Sequence, residues 1–296
     1  MSTQQILIYG GNGWVGTQIQ KILTQKGVNY TLSQVRVNEV ELVTNEINEV
    51  KPTHIICSIG RTKGVINDQA INSIDYLEHE GKLVENIRDN MYCPIMLARL
   101  CQEKKIHMTY IGTGCIFNSD NTPLSPYSES DKPNFFGSSY SIVKGFTDQM
   151  MSNLFSDVVL NVRIRMPITA EEHPSDFITK ITRYPNICSI DNSMTVLDDL
   201  LPILMDMIRD KRVGTINLVN PGYMNHNEIL NLYKEYCKPD HIWTNITLEE
   251  QRRLLKSDRS NNVLSSNQLE EYCPSVPSLK ESVTRILIQR GNKSNM

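Results

Sequence analysis

Two patterns of hydrophobic and polar positions alternate along the first half of the chain. Short, nearly continuous apolar runs, typical of buried parallel strands, are separated by longer stretches in which apolar residues recur every three or four positions. The apolar runs lie at 6–9, 29–32, 54–59, 107–111 and 158–164. The stretches with helical spacing lie at 14–26, 40–50, 82–105 and 139–155. This alternation predicts an α/β fold with a doubly wound parallel sheet that helices cover on both faces.

The pattern changes beyond Pro167, where helical spacing dominates and strand-like runs become rare. One such run, 214–219, follows a long helical stretch. We therefore predict a sheet domain at 1–166 and a smaller C-terminal α/β domain at 167–296, with 190–220 returning in part to the sheet. A cleft between the two domains is the expected place for an active site.

Composition and charge exclude several classes of function. The 296-residue chain has 30 Lys and Arg against 33 Asp and Glu, a net charge of -3, so we expect neither a nucleic-acid partner nor a membrane partner. No apolar run approaches the ~20 residues that span a bilayer, and the first residues lack an export signal. The seven cysteines are scattered, which predicts reduced thiols, no metal site and a cytoplasmic location. We expect the six histidines to be structural or solvated.

A glycine cluster, GGNGWVG, stands between the first predicted strand and the first predicted helix. Gly10, Gly13 and Gly16 fit the pattern G-x-x-G-x-x-G. Such glycines permit a tight turn, close approach of a pyrophosphate and close packing of helix on strand. The helix begins near Trp14 and Val15, and its first N–H groups suit phosphate. This context predicts a Rossmann dinucleotide-binding turn; the alternative is a glycine turn with a structural role only.

The second strand favours NADP (NADPH) over NAD as the cofactor. An NAD site usually has an acidic residue about 20 positions beyond the glycines, where it holds the adenosine ribose. Here no acid appears before Glu39, and Arg36 is available for a 2′-phosphate. NAD is the alternative cofactor, and a solvated surface cation is the alternative role for Arg36.

Tyr140 and Lys144 lie four residues apart in a predicted helix and so share one of its faces. A phenol, with a pKa of about 10, is a poor acid at neutral pH unless a nearby cation stabilises the phenolate, and Lys144 supplies that cation. Thr113 adds a hydroxyl at the end of a predicted strand. With the glycine turn, these residues resemble the Ser/Thr, Tyr and Lys set of the short-chain dehydrogenase/reductase superfamily.

The resemblance narrows when longer stretches are considered. The blocks GGNGWVG, TGCIF, FGSSYSIVK, RIRMPI, DFITKITRY and NPGYMNHNEIL resemble the bifunctional UDP-4-keto-6-deoxyglucose 3,5-epimerase/4-reductases of UDP-L-rhamnose synthesis, which are similar to dTDP-4-dehydrorhamnose reductases. The resemblance covers nearly the whole chain. It implies an enzyme that epimerises UDP-4-keto-6-deoxy-D-glucose at C-3 and C-5 and reduces its C-4 ketone with NADPH.

The resemblance also implies catalytic roles. In that reading Tyr140 donates a proton to the reduced ketone, Lys144 lowers the pKa of the phenol, and Thr113 orients the carbonyl. Cys115 and Lys180 stand where a related epimerising reductase has a Cys and a His, so we interpret them as the epimerisation pair. The alternative is a buried, inert strand cysteine and a lysine on a helix surface.

Further contacts are expected from the same resemblance. Asn90 stands where the superfamily has an Asn that supports the active-site lysine; a helix-surface Asn is the alternative. The residues at the end of the third apolar run, where such folds pass over the cofactor, are Ser58, Gly60 and Arg61. Arg259 is interpreted as a contact of the nucleotide diphosphate, because guanidinium groups suit phosphate geometry. Asn220 is either a second substrate contact or a turn former.

Two other functions stay open. One is a 4-reductase without epimerase activity, acting on dTDP- or UDP-4-keto-L-rhamnose; the other is a non-catalytic NADP-binding regulatory subunit. In the leading interpretation a separate upstream 4,6-dehydratase makes the substrate. The resemblance also implies a homodimer formed through the helices at 82–105 and 139–155.

Overall fold

A six-stranded, entirely parallel sheet forms the centre of the computed structural model, which describes residues 5–119 and 125–294. The strands, numbered in chain order, are β1 (Ile6–Tyr9), β2 (Tyr30–Leu32), β3 (His54–Cys57), β4 (Gly64–Ile66), β5 (Gln69–Ile71), β6 (His107–Thr113), β7 (Val159–Ile164), β8 (Asn186–Ile187), β9 (Gly214–Asn217) and β10 (Thr244–Asn245). The order in the central sheet is β2-β1-β3-β6-β7-β9, while β4 pairs with β5 and β8 with β10. The predicted doubly wound α/β sheet is confirmed.

Helices connect the strands and build most of the C-terminal part. They are α1 (Trp14–Gln25), α2 (Val40–Val50), α3 (Lys82–Ile87), α4 (Cys93–Lys104), α5 (Ser139–Leu154), α6 (Phe177–Ile181), α7 (Leu197–Arg209), α8 (His226–Tyr236), α9 (Leu248–Leu254), α10 (Asn267–Tyr272) and α11 (Leu279–Ser294). A 3-10 turn spans Ile74–Glu78, and a π-helical turn, Arg88–Tyr92, joins α3 to α4. No helix within the described residues has both the length and the apolar character to cross a membrane.

Each face of the central sheet has its own hydrophobic core. Because successive side chains of a strand point to opposite faces, Ile6 and Ile8 pack with α1 and α7, whereas Leu7 and Tyr9 pack with α2, α4 and α5. All four side chains are buried. Burial on both faces explains why the strands are continuous apolar runs rather than alternating ones.

A third core belongs to the C-terminal lobe, which we define as α6, α8, α9 and α11 with β8 and β10. Its centre includes Ile178 of α6, Ile229 of α8 and Leu287 of α11. The segment between β8 and α8, with α7 and β9, packs instead on the sheet lobe, which we define as the central sheet and the helices packed on it: β9 pairs with β7 at the sheet edge. The chain therefore leaves the sheet after β7, starts the C-terminal lobe and returns before completing it.

Candidate active site

A cavity of about 920 Å³ opens between the C-terminal ends of the central strands and the C-terminal lobe. The sheet lobe lines it with the loop after β1, the ends of β3, β6 and β7, and part of α5. The C-terminal lobe adds α6, β8 and part of α9. A crevice beyond the carboxyl ends of parallel strands is where doubly wound folds bind ligands.

The glycine turn has the geometry of a phosphate-binding loop. The backbone N–H of Gly13 donates to the carbonyl of Gly10 at 3.0 Å. Gly10 has a φ of +80°, a backbone conformation that residues with a side chain rarely adopt. A Cβ at Gly16 would lie 2.5 Å from the same carbonyl oxygen, so only glycine lets α1 pack this closely on the turn. Trp14 and Val15 line the cavity, so the first turn of α1 faces it with backbone N–H groups. These residues fit a dinucleotide pyrophosphate.

The loop after β3 forms the adjoining wall, and Asn90 holds it in place. Asn90 is fully buried in the π-helical turn, so its interpretation as a helix-surface residue is wrong. Its side chain accepts the backbone N–H of Arg61 at 3.0 Å and donates to the carbonyl of Arg61 at 2.9 Å. The Ser58 hydroxyl donates to the carbonyl of Gly10 at 3.0 Å, which ties this loop to the glycine turn. Ser58, Gly60, Arg61 and Asn90 all line the cavity.

Thr113, Tyr140 and Lys144 come together on one side of the cavity. Thr113 ends β6, while Tyr140 and Lys144 lie on successive turns of α5. The helix begins at a side-chain cap, in which the Ser138 hydroxyl accepts the backbone N–H of Ser141 at 3.0 Å. The Tyr140 and Thr113 side chains are close enough for the Thr113 hydroxyl to lower the pKa of the phenol. All three predicted reductase residues are buried in the cavity wall.

The ammonium of Lys144 contacts a second tyrosine, Tyr110. Its Nζ donates to the Tyr110 hydroxyl at 2.5 Å and lies 4.7 Å from the centre of that ring. Burial lowers the pKa of Lys144 to about 8. Burial also raises the pKa of Tyr140, as does Cys115 nearby, and the Thr113 hydroxyl opposes this only in part. Desolvation is therefore the main influence on the pKa of Tyr140 in this structure.

Cys115 lies against a buried arginine that the sequence analysis did not single out. The Cys115 thiol is partly exposed and lines the cavity, so it is not a buried strand cysteine. Its Sγ lies 3.7 Å from Nη1 of Arg165, which follows β7 and is 1% exposed. Its backbone N–H donates to the Thr113 hydroxyl at 3.1 Å. The thiol therefore adjoins the reductase residues on one side and a guanidinium on the other.

Lys180 lines the same cavity from α6 of the C-terminal lobe, so its interpretation as a helix-surface lysine is wrong. Burial is the main cause that lowers the pKa of Lys180, and the Lys63 cation adds to it. Cys115 is near enough to favour the charged lysine. The N-cap of α6 is Asp176, which forms a buried ion pair of 2.8 Å with Arg290 of α11. The position of Lys180 thus depends on the packing of the C-terminal lobe.

Arg259 lines the cavity, as predicted for a substrate contact, and has an acidic partner. Its Nη2 lies 2.5 Å from Oδ2 of Asp75, in the 3-10 turn. Burial raises the pKa of Asp75, but hydrogen bonds from Arg259, Ser73 and Ser257 outweigh this and lower it to about 2. The carboxylate therefore holds the guanidinium at the cavity wall.

Four predicted residues do not line the cavity: Gly10, Gly16, Arg36 and Asn220. Arg36 is exposed in the loop after β2. Asn220 is fully buried; its side chain accepts the backbone N–H of Val196 at 2.8 Å and donates to the carbonyl of Pro277 at 3.2 Å. The prediction that Asn220 contacts substrate is therefore wrong, because both ends of its side-chain amide are hydrogen-bonded to backbone groups inside the protein.

Sequence reasoning did not identify Arg165, Asp75 or Tyr110 as residues of the site, and it did not assign His226 to the site. Arg165 lies in the RIRMPI block, which marked the region but not the direction of the side chain. His226 was grouped with structural or solvated histidines, yet it lines the cavity, where burial and, less strongly, Arg165 lower its pKa to about 4. No local pattern shows any of these positions, because the chain brings them to the cavity from distant segments.

Comparisons with known proteins agree with this fold. Residues 4–199 match the family model described as the RmlD substrate binding domain. Protein L780 of Acanthamoeba polyphaga mimivirus is 48% identical over 95% of this chain and 96% of its own length. The crystal structure of the L780 UDP-rhamnose synthase superposes with a TM-score of 0.93 at 47% identity, covering 97% of this chain and 100% of that one.

Two plant relatives differ in length. A bifunctional dTDP-4-dehydrorhamnose 3,5-epimerase/dTDP-4-dehydrorhamnose reductase of Arabidopsis thaliana is 36% identical over 100% of this chain and 96% of its own. A trifunctional UDP-glucose 4,6-dehydratase/UDP-4-keto-6-deoxy-D-glucose 3,5-epimerase/UDP-4-keto-L-rhamnose-reductase of the same plant is 36% identical over 98% of this chain but only 43% of its own length. This chain thus resembles the whole of the first relative and less than half of the second.

Proposed function

This chain belongs to the RmlD substrate-binding-domain family, among its nucleotide-sugar epimerase/reductases, and we propose that it makes UDP-L-rhamnose from UDP-4-keto-6-deoxy-D-glucose. The reaction combines 3,5-epimerisation with NADPH-dependent reduction of the C-4 ketone. One observation carries the proposal: the reductase residues Thr113, Tyr140 and Lys144 share a single cavity with Cys115 and Lys180. One bound sugar can therefore meet both sets of residues.

The reductase residues serve the proton half of the reduction. The glycine turn and the start of α1 would hold the pyrophosphate of the cofactor, which when bound would supply a hydride for C-4. The Tyr140 hydroxyl donates a proton to the ketone oxygen, and the Thr113 hydroxyl, which lines the same cavity, orients that oxygen. The Lys144 cation, on the next turn of the same helix, stabilises the phenolate that remains.

Cys115 and Lys180 serve the epimerisation. The Cys115 thiolate takes the proton from the carbon beside the ketone, and the C–H electron pair forms a C=C bond while the carbonyl pair moves to oxygen. The Lys180 ammonium then returns a proton to the opposite face, which restores the ketone and inverts the centre. The lowered pKa of Lys180 makes its ammonium a better acid than an exposed one. The same two steps act at C-3 and C-5; between them the Cys115 thiol releases its proton to solvent and the Lys180 amine takes one up.

The choice of NADPH rests on charge around β2. The loop after this strand lacks an acidic residue before Glu39, and Arg36 is exposed there, so it is accessible to a 2′-phosphate. A comparison of kcat/KM for NADPH and NADH in wild type and Arg36→Gln tests this. We expect the preference for NADPH to fall about tenfold, equivalent to ~1.4 kcal/mol; an unchanged ratio contradicts the assignment.

The surrounding biology is also proposed. The trifunctional plant relative has a 4,6-dehydratase activity in its name, and we propose that a separate dehydratase supplies the substrate to this chain in the cytoplasm.

Exposed apolar side chains on α3, the π-helical turn and α5 support the predicted homodimer; they are Leu83, Val84, Ile87, Tyr92 and Phe146. Light scattering of Val84→Glu tests it: we expect a monomer, whereas a variant that keeps the wild-type mass contradicts this surface.

The deciding experiment uses UDP-4-keto-6-deoxyglucose and NADPH in heavy water. We expect oxidation of NADPH, UDP-L-rhamnose as product and deuterium at C-3 and C-5. Cys115→Ser is expected to lose the deuterium exchange and to keep reduction of UDP-4-keto-L-rhamnose; Cys273→Ser, at a partly exposed thiol outside the cavity wall, is the matched control. Reduction without exchange in the wild type establishes the 4-reductase alternative, and absence of NADPH oxidation with either sugar establishes the regulatory one.

A further inference from the structure

Arg165 differs from the other buried arginines in what surrounds its charge. Three arginines are 4% exposed or less: Arg163, Arg165 and Arg290. Arg163 pairs with Asp148 at 2.7 Å, and Arg290 pairs with Asp176 at 2.8 Å. No carboxylate of the described residues pairs with Arg165. Burying a charge without a counter-charge costs free energy of folding, so a buried, unpaired guanidinium indicates a functional role for Arg165.

The partners of Arg165 are neutral groups with one exception. Nη1 donates to the carbonyl of Gly114 at 3.3 Å and to the Ser260 hydroxyl at 3.2 Å, and Nη2 donates to the carbonyl of Ser260 at 3.0 Å and to Oδ1 of Asn192. The remaining contact is Sγ of Cys115, 3.7 Å from Nη1. Cys115 is the one contact in this set that can become an anion. The neutral acceptors fix the guanidinium, and the thiol is its available counter-charge.

Position 114 is shaped for this contact. A Cβ at Gly114 would lie 2.5 Å from Leu264 and 3.4 Å from the side-chain carbons of Arg165. Glycine therefore lets Arg165 lie beneath the cavity wall while Cys115 lines the cavity. The backbone of Cys115 is held from the other side by the Thr113 hydroxyl, at 3.1 Å. The thiol is thus fixed between the guanidinium and the reductase residues.

We propose that Arg165 is a positioning residue that stabilises the Cys115 thiolate, the form in which this side chain acts as a base. The proposal rests on the proposed function, because it explains how the epimerisation acquires its base. The thiolate, not the thiol, accepts a proton, and neighbouring cations favour it. The low pKa of buried His226, to which Arg165 contributes, is a second sign of positive potential at this place. Arg165 acts through Cys115 and does not itself line the cavity.

Thiol titration in the wild-type protein is the first test. Iodoacetamide is applied for short times between pH 5 and pH 10, and mass spectrometry of peptides gives the alkylation rate of each cysteine. Cys273, also partly exposed and 3.5 Å from the Ser275 hydroxyl, is the internal control. We expect Cys115 to reach half of its maximal rate at least one pH unit below Cys273. Equal midpoints overturn the proposal, whether or not any variant folds.

Two variants then separate charge from packing. In Arg165→Gln we expect the midpoint of Cys115 alkylation to rise by at least one pH unit, with that of Cys273 unmoved. The pH profile of deuterium exchange should move in the same direction, and the ratio of exchange to reduction at pH 7 should fall at least tenfold. Arg165→Lys keeps a cation, so its alkylation midpoint and its ratio of exchange to reduction should lie close to the wild-type values. A folded Arg165→Gln protein with the wild-type midpoint refutes the proposal.

Failure of the proposed function gives a different result. A wild-type protein that reduces the ketone but exchanges no deuterium lacks the epimerase activity. The alkylation midpoints still decide the effect of Arg165 on Cys115 in that case, because they need no sugar. Exchange with a wild-type pH profile in Arg165→Gln has the opposite meaning: the epimerase exists and Arg165 is not its positioning residue.

Discussion

The two sets of catalytic residues share one cavity but are built from different parts of the chain. Thr113, Tyr140 and Lys144 all come from the sheet lobe, at the end of β6 and on two turns of α5. Cys115 comes from the sheet lobe as well, but Lys180 comes from the C-terminal lobe. The geometry for reduction is therefore set within one packed unit, whereas the geometry for epimerisation depends on how two units are held together.

The contacts that place Lys180 show this dependence. The Asp176 carboxylate caps α6, accepting the backbone N–H of Thr179 at 2.7 Å, and also pairs with Arg290 near the end of α11. Residues far apart in the sequence thus orient a five-residue helix that is too short to be stable alone. A disturbance in the C-terminal lobe should reach the epimerisation before it reaches the reduction.

The sharpest separation of the two sets is Tyr140→Phe. We expect reduction to fall by about 10²- to 10⁴-fold because the general acid is lost. Deuterium exchange at C-3 and C-5 should continue, since Cys115 and Lys180 remain. Parallel assays of NADPH oxidation and exchange measure both. If exchange falls as far as reduction, the two sets are not separable.

Breaking the ion pair of the C-terminal lobe should act on stability and on exchange together. Arg290→Met leaves Asp176 buried without its ionic partner, so we expect a loss of about 3–5 kcal/mol in the free energy of unfolding. Arg285→Met, on the same helix, removes a more exposed pair with Asp199 and should cost about 0–1 kcal/mol. Urea unfolding compares them. Equal losses would contradict the structural role of the buried pair.

A smaller effect is expected from Asn220, which joins the two regions. Asn220→Ala removes the acceptor of the Val196 N–H and a donor to the Ser282 hydroxyl on α11, so we expect a loss of about 1–3 kcal/mol. The KM for the sugar should stay at the wild-type value, because the side chain is outside the cavity wall. A raised KM without loss of stability would restore the substrate-contact interpretation.

The smallest expected effect is on pH dependence. With a pKa of about 8, buried Lys144 is a cation below pH 8 and loses its charge above it, whereas an exposed lysine stays charged to about pH 10. Reduction should therefore decline as pH rises through 8, by about tenfold per unit. Circular dichroism of the same samples is the control for loss of the fold. A reduction rate that stays level to pH 10 contradicts the low pKa.

The same shift makes a statement about stability. Between pH 8 and about pH 10 the unfolded chain binds more protons at Lys144 than the folded chain, so the contribution of this group to stability rises with pH over that window. Lys144→Met should remove this rise, measured by urea unfolding at pH 7 and pH 9. If wild type and Lys144→Met change in stability by the same amount between pH 7 and pH 9, the lowered pKa of Lys144 is contradicted.

Sequence reasoning identified the parts of the site that depend on short spacings. The turn from β1 into α1 and the pair Tyr140 and Lys144 follow from local geometry: glycine conformations and the period of a helix. It left the role of Asn220 open between a substrate contact and a turn former, because a polar residue in a turn looks the same whether its amide faces a cavity or the backbone of Val196. It placed 82–105 in one amphipathic stretch, although π-helical geometry at Arg88–Tyr92 interrupts it.

What the sequence by itself determined is the alternation of strands and helices, the glycine turn and the face of α5 that carries Tyr140 and Lys144. These depend on residues a few positions apart, and backbone geometry fixes such distances in any fold. The tertiary structure alone decided that Arg165 lies against Cys115, that Asp75 holds Arg259 and that Arg290 supports the helix of Lys180. Such contacts join segments that only the packing of the three cores brings together, and no spacing along the chain encodes them.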